Sequence, residues 1–441
     1  MTPQPDPPEL PPDAPLAAPD AALLAGTADV VVIGAGVVGL SIALRLLLAD
    51  PARRVVVLDR AGVAAGASRG NAGAYAFSDI QPLASPGIVR QAPRWLLDPL
   101  GPLALRPAYL LRIAPWLWRF WRASSAARVD AATVAQVALN RLAAEGTPRL
   151  LAALGAQDWW HEDGNLHLYE SEAEWRASLP GWQQRAAHGI AFEHAHGPAA
   201  IAQWQPGLSP ALVAATFVPG WATIDDPHRL VRRIAAHCLA RGARLVRGEA
   251  QALVPAAEAV RVRLAGGAQV AARQVVVAAG AWSHRLARTL GERIPLDTER
   301  GYNTTLPPGA FDLRRQLTFP GHGFVVTRIA GGVRVGGAVE LAGLDAAPDY
   351  RRSAALLAKA KRFLPALRAE GGTPWMGCRP SLPDSLPAIG RARDDERVVY
   401  AFGHGHLGLT QSAATAAVVE ALLAGRQPPL ELRPYSPQRF G

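Results

Sequence analysis

The sequence predicts an α/β fold in which a parallel strand–glycine–helix domain is interleaved with an α+β domain built on a mostly antiparallel sheet. Three observations carry this reading. Strand–glycine–helix patterns recur at residues 29–48, 274–290 and 399–424, at the start, middle and end of the chain. Between residues 324 and 340 (FVVTRIAGGVRVGGAVE) the apolar period switches to two around a Gly-Gly turn, which argues an antiparallel hairpin. At 441 residues and 49% hydrophobic content the chain can bury more than one core, which excludes disordered and collagen-like classes.

Taken in order, residues 1–26 hold eight prolines and several acids, with no basic segment ahead of an apolar run. They read as a disordered leader rather than a signal peptide. Folded sequence is expected from about Ala28. A short apolar strand at 29–33 runs into glycine, helical apolar spacing follows at 37–48, and a buried strand returns at 54–58. No run of 18 apolar residues occurs, so no spanning helix is expected. The stretch 90–122 is unusual: Trp95, Trp116, Trp118 and Trp121, six arginines and a single acid, Asp98. On a helix Arg112, Arg119 and Arg122 share roughly one face, beside Leu110, Leu117, Trp118 and Trp121. Two readings stay open there, an ordinary packed helix with snorkelling arginines and an interfacial helix beside anionic lipid.

Composition narrows the function. Two cysteines, Cys238 and Cys378, cannot build a disulfide framework or a four-cysteine zinc site, and the chain reads as cytoplasmic. The net charge of +10 rests almost wholly on arginine, because Lys359 and Lys361 are the only lysines. Those arginines are spread along the chain, which argues against nucleic acid as a partner while leaving acidic substrates and membrane surfaces open.

Gly34-Ala35-Gly36-Val37-Val38-Gly39 sits between the first strand and its helix, a G-x-G-x-x-G in the context that gives the pattern meaning. Gly34 permits the turn, Gly36 lets a pyrophosphate approach the backbone, and Gly39 lets helix and strand pack closely. The helix N-terminus supplies N–H groups for the phosphates. Asp59 ends the second strand twenty residues beyond Gly39, where a carboxylate accepts ribose hydroxyls. An adenine dinucleotide is expected. The motif does not separate FAD from NAD; the small-residue loop 62–73 (GVAAGASRGNAG) does, because Ser68, Arg69 and Asn71 can lie along an extended FAD where nicotinamide folds proceed to another helix.

GASRGNAG at 66–73, PLASPGIVRQAPRWLLDP at 82–99, WMGCRPSLPDSLPAIG at 375–390 and FGHGHLGLT at 402–410 occur in that order. Together they resemble the D-amino acid dehydrogenase group (small-subunit type) of the FAD-dependent amino acid oxidase family, with glycine oxidase and sarcosine oxidase as cousins. The resemblance covers about residues 28–440. It implies a Rossmann-like FAD-binding domain in three pieces (27–98, 223–292, 375–441) and a substrate domain in two (99–222, 293–374). It implies FAD contacts at Gly34, Gly36, Val38, Gly39, Asp59, Arg60, Ser68, Asn71, Ala72 and Gly73. Further contacts fall at Ala250, Ala279, Gly280 and Trp282. Gly405, His406, Leu407, Gly408, Leu409 and Thr410 complete the set, with N–H groups from Leu407 to Thr410 facing the reduced flavin.

The sharpest implied role belongs to Arg379. In Gly377-Cys378-Arg379-Pro380 it matches the arginine that forks onto the substrate carboxylate, a bidentate, charge-assisted pairing. Tyr302 is a second candidate contact, weighed equally against a structural role. Cys378 reads as a small buried hydrophobe rather than a covalent flavin tether. His404 and His406 lie two apart with no third ligand in reach, so no metal is expected. The activity implied is oxidative deamination of a D-amino acid, with hydride passing from Cα to flavin N5 and the imine hydrolysing to a 2-oxo acid and ammonia. A neutral amine needs no dedicated base, and none stands beside the motifs. Alternatives are an enzyme of glycine, sarcosine or cyclic imino acids, a flavin module acting on RNA, and a nicotinamide dehydrogenase. The 90–122 stretch points toward a quinone or membrane electron acceptor, and so to the inner membrane face. Oligomeric state has no sequence signal.

Overall fold

The computed structural model describes residues 7–87, 92, 95–96, 98 and 100–441. Arg90 and parts of the 82–99 motif (88–91, 93–94, 97 and 99) lie outside the described residues, as do residues 1–6 of the leader.

The first strand, Thr27–Ile33, enters the helix Val37–Ala49 through the glycine turn, and Val55–Asp59 follows as the second strand. Four parallel pairings order the sheet as Arg244–Arg247, Val55–Asp59, Thr27–Ile33, Gln269–Val277 and Val398–Phe402. Continuous valine runs suit strands covered on both faces. Val30 and Val32 join one core, shared with the helices Val37–Ala49, Pro227–Ala240 and Ala126–Ala153. Val31 and Ile33 join the other, with the antiparallel strands Ala250–Pro255 and Val260–Leu264.

A second sheet of nine strands runs, from its edge inward, Thr373–Ser381, Asp297–Leu306, Gly332–Leu341, Phe324–Ile329, Gln316–Phe319, Asn165–Tyr169, Ala214–Val218 and Glu193–His196, with Leu103–Leu105 beside Gly332–Leu341. Most of its pairings are antiparallel. Side chains alternate across it. Leu317, Phe319, Val326, Val333 and Tyr302 pack on the helix Arg351–Phe363, while Arg334, Thr327, Gln316 and His167 line a cavity on the opposite face. The expected hairpin is Phe324–Ile329 with Gly332–Leu341, and its turn residues are Ala330 and Gly331, both at positive φ. That is one residue earlier than a Gly331-Gly332 turn, and it matches the twist-compatible two-residue hairpin loop.

Two expectations are corrected. Residues 7–26, most of them exposed, are tied to the fold at a few points. Asp20 caps the short helix Ala21–Ala25, Leu23 is buried, and Ala17 bridges to Val246. The order comes from a distant element: on the helix Pro227–Ala240, Arg229 pairs with Glu9, Arg232 binds the Leu10 carbonyl and Arg233 the Pro7 carbonyl. The 374/375 domain boundary also moves. Thr373–Ser381 is an edge strand of the second sheet, in register with Asp297–Leu306 from Thr305↔Thr373 to Asp297↔Ser381. Its prolines, Pro374 and Pro380, are tolerated because an edge strand leaves one side unpaired. The chain returns to the parallel sheet only at Ala388–Arg391.

Candidate active site

Between the two sheets lies one continuous cavity of about 1270 Å³. Pockets for drug-sized molecules occupy roughly 300–1,000 Å³, so this one has room for a dinucleotide together with a small substrate. It runs from the glycine turn and Asp59, past Arg379 and the turn at 404–409, to a wall containing His167, Trp182 and Arg185.

At the nucleotide end every glycine of the turn is cramped. Gly34 sits at φ +117°, and a Cβ there would stand 2.3 Å from the Ala278 carbonyl oxygen; on Gly39 it would stand 2.0 Å from the Gly34 oxygen. The Asp59 carboxylate accepts N–H groups from Ala35 (2.9 Å), Ala61 (2.8 Å) and Gly62 (3.0 Å). A carboxylate has about four acceptor sites, so capacity remains for a ribose hydroxyl. Ser68 Oγ accepts the Val37 N–H at 2.9 Å, keeping its own proton to donate at the helix N-terminus. The Arg60 guanidinium lies 3.7 Å over the Trp282 ring, a flat platform at the adenosine end. Asn71 closes its own turn, accepting from Gly73 N–H at 2.8 Å and donating to the Ser68 carbonyl at 3.0 Å. Gly36, Val38, Ala72, Ala250, Ala279 and Gly280 complete this lining. Gly39 and Gly73 are not part of the cavity wall; each packs behind it, Gly39 against Val32 and Gly73 against Ile329.

The late motif forms the opposite wall. Gly405, His406, Leu407, Gly408 and Leu409 line the cavity at the start of the helix Gly408–Leu423. Leu407 leaves the donor set: its N–H is spent on the His404 carbonyl at 2.9 Å. The first orphan donors of the helix are then Gly408, Leu409 and Thr410. Thr410 acts also through its hydroxyl, which accepts the Ala76 N–H at 3.1 Å. His404 and His406 separate. His404 bonds Thr415 Oγ1 at 2.9 Å, and burial drives its pKa down to about 3, whereas His406 meets Asp79 at 3.0 Å. Burial opposes the Asp79 charge, yet His406 and Arg185 hold its carboxyl below the usual range.

Arg379 reaches over the cavity face of the second sheet. Its Nη1 donates to the Ala338 carbonyl at 3.0 Å. Among the described residues it makes no ion pair. Gly301 supplies the space: a Cβ there would stand 2.2 Å from Arg379 Nη2. Burial pulls the guanidinium below its ordinary pKa, partly opposed by Glu299, its register partner across the strand pair. The result is a desolvated cation deep in the protein yet open to the cavity, with donors left over.

Tyr302 is turned the other way. Adjacent strand residues point to opposite faces, so the neighbour of Gly301 faces the helix side. There its hydroxyl donates to Glu340 Oε2 at 2.6 Å and accepts the Asp349 N–H at 3.1 Å. Burial, with Glu340, pushes its pKa up to about 12. That hydroxyl is committed to Glu340 and Asp349, while the residue itself still lines the cavity. By the same alternation Cys378 lies on the other face from Arg379, and burial raises its thiol.

Sequence reading missed several residues of this site. Trp375 packs against Gly70, Asn303 Nδ2 holds the Gly70 carbonyl at 2.7 Å, and Arg334 binds the Asn71 carbonyl. These three stitch the 62–73 loop to the second sheet. Only Trp375 stood inside a motif; the partnership of loop and sheet has no local sequence signal.

A glycine turn closing on a carboxylate, a continuous dinucleotide-sized crevice and a sheet presenting Arg379 and Arg334 to it, neither in an ion pair among the described residues, suit a nucleotide-dependent oxidoreductase. The chain belongs to the FAD dependent oxidoreductase family, whose model matches residues 29–422. It is 36% identical to a D-amino-acid oxidase of Bradyrhizobium diazoefficiens, over 93% of this chain and 98% of that one. It is 29% identical to a D-amino acid dehydrogenase of Rhizobium johnstonii, over 93% of this chain and all of that one (100%). Among solved structures it shares its fold with glycine oxidase from Geobacillus kaustophilus, with a TM-score of 0.73, 20% identity and coverage of 94% and 99% of the two chains.

The cradle fits FAD, since Gly34 and Gly36 line the cavity beside Asp59 and the cavity continues past the nucleotide end. This yields a direct expectation. Gly39→Ala drives a methyl into the Gly34 carbonyl, a strain of about 1–3 kcal/mol, and should weaken FAD retention by roughly tenfold or more. The ratio of flavin to protein absorbance after dialysis reads it. Retention equal to the parent would show that the helix retreats without cost.

Proposed function

We propose that this FAD-dependent oxidoreductase oxidatively deaminates D-amino acids to 2-oxo acids and ammonia, and that it passes the electrons to a membrane quinone. The single observation that supports the reaction is Arg379, a half-buried guanidinium that lines the cavity and makes no ion pair among the described residues. Such a group demands an anion, and a substrate carboxylate supplies one in bidentate geometry.

Bound FAD supplies the acceptor for the hydride lost from Cα. The chain's own residues do the rest. Arg379 fixes the carboxylate, with one N–H already anchored on Ala338, and so sets which way Cα–H faces. Orphan N–H groups at Gly408, Leu409 and Thr410, with the positive end of their helix, favour negative charge at that wall. Burial takes His167 down to about 3, so it stays neutral and adds no positive charge beside the substrate amine. The wall of His167, Trp182 and Gln184 beyond leaves space for a side chain, which favours amino acids over glycine. The D series is supported by the relatives' names.

Anaerobic bleaching of the visible flavin absorption by matched D- and L-amino acids, glycine and sarcosine tests the proposal. Several D-amino acids should bleach it while their L-partners do not. Bleaching by L-amino acids alone, or by none, overturns the substrate class.

A further inference from the structure

The helix Leu110–Ala123 wears its apolar stripe on the outside. Its inner face is ordinary: Ile113 and Trp116 are buried beside Leu341, and Trp116 stacks on Phe120. Leu111 is 89% exposed, Trp121 61% and Trp118 53%. At about 100° per residue, these three fall within roughly 80° of one another on the outward face. A single exposed leucine carries no meaning, but a continuous apolar stripe of this size marks a contact surface.

Charge completes the pattern. Arg122, Arg119 and Arg112 follow along one flank of the stripe. None makes an ion pair among the described residues, and Arg122 lies 4.8 Å over the Trp118 ring. From 99 to 129 the sequence has no aspartate or glutamate. The helix also has no serine, threonine, asparagine or glutamine (LLRIAPWLWRFWRA), so its polar groups, indole N–H aside, are guanidinium cations alone. Leucine and tryptophan projecting past a row of guanidinium groups suit acyl chains beneath a layer of phosphates.

We infer that the outward face of Leu110–Ala123 docks on an anionic lipid bilayer. The inference deepens the acceptor reading above and rests on it only for its purpose. The helix is coupled to the active site: Trp116 Nε1 donates to the Ser381 carbonyl at 3.3 Å, and the Pro380 carbonyl next to Arg379 accepts the Gly405 N–H at 2.7 Å.

Flotation of the FAD-loaded protein with phosphatidylcholine vesicles, with and without phosphatidylglycerol, reads binding with no substrate or acceptor present. A failure here is thus separable from a failure of the proposed reaction. The protein should float with phosphatidylglycerol vesicles at low salt and be released by added salt. Replacing Arg112, Arg119 and Arg122 by glutamine should lower partitioning roughly fivefold per arginine. Leu111→Ser with Trp118→Ser and Trp121→Ser should abolish it, with flavin spectrum and circular dichroism unchanged. No flotation of the parent, or equal flotation of the variants, overturns the inference. So does a self-association of the parent that the serine variant dissolves, since a second copy would then cover the stripe.

Discussion

Arg379→Met should lower kcat/KM for D-amino acids by about 30- to 5,000-fold, because truncating one member of a buried charge pair costs about 2–5 kcal/mol. Among the described residues Arg379 makes no ion pair and holds one backbone carbonyl, whereas the cavity's Arg334 is spent on Thr305 and the Asn71 carbonyl, so the remaining donors of Arg379 have no structural work to lose. FAD content and stability should stay close to the parent, which separates this residue from the cradle at Gly34–Gly39. Arg379→Lys keeps the charge but not the planar fork. It should fall between the two, with the larger part of its loss in kcat if orientation of Cα is what the fork provides. A simple amine without a carboxylate should show the opposite ranking: poor with the parent, and no poorer with the methionine variant. If both substitutions leave kcat/KM within about threefold, well under the cost of a broken charge pair, Arg379 does not hold the carboxylate.

The parallel domain was readable because its information is local. Gly34, Gly36, Gly39 and Asp59 fall within one strand–helix–strand unit, and each strand's valine run reports burial on both faces. What escaped depended on partners far away in sequence. The leader has the composition of a disordered segment, and its order comes from Arg229, Arg232 and Arg233, more than two hundred residues on. Tyr302 lines the cavity, but its hydroxyl turns to the helix side, which the sequence reading left open by weighing a structural role equally. Which face a strand residue takes depends on register, and register was set by a pairing with Thr373–Ser381 that its two prolines disguised. Leu407 lines the cavity, but a tight turn gives its N–H to the His404 carbonyl, so the helix's orphan donors begin one residue later than the resemblance implies.

Behind Arg379, on the far face of its sheet, stands a second arginine that makes the largest stability prediction. Arg300 is fully buried and pairs with Glu340 at 3.2 Å; Glu340 also takes Arg106 at 2.7 Å and the Tyr302 hydroxyl. Among the described residues the only other bond of the Arg300 guanidinium is to the Ala346 carbonyl, at 2.7 Å. Glu340→Ala leaves that cation buried and uncompensated, which costs about 3–5 kcal/mol. Denaturant unfolding of the FAD-loaded protein should show it as a fall in midpoint. Glu340→Gln retains acceptor capacity for Tyr302 but not the charge, and should lose most of the same amount. Adding Arg300→Met to Glu340→Leu should recover much of the loss, because removing both charges also removes the desolvation penalty. The network has a bearing on catalysis too. Arg300 and Tyr302 flank Gly301, whose bare Cα makes room for Arg379, so loosening their anchor should raise KM before it touches FAD binding. A Glu340→Ala protein as stable as the parent would mean that water reaches Arg300, and the strand beneath Arg379 would then be held by backbone pairing alone.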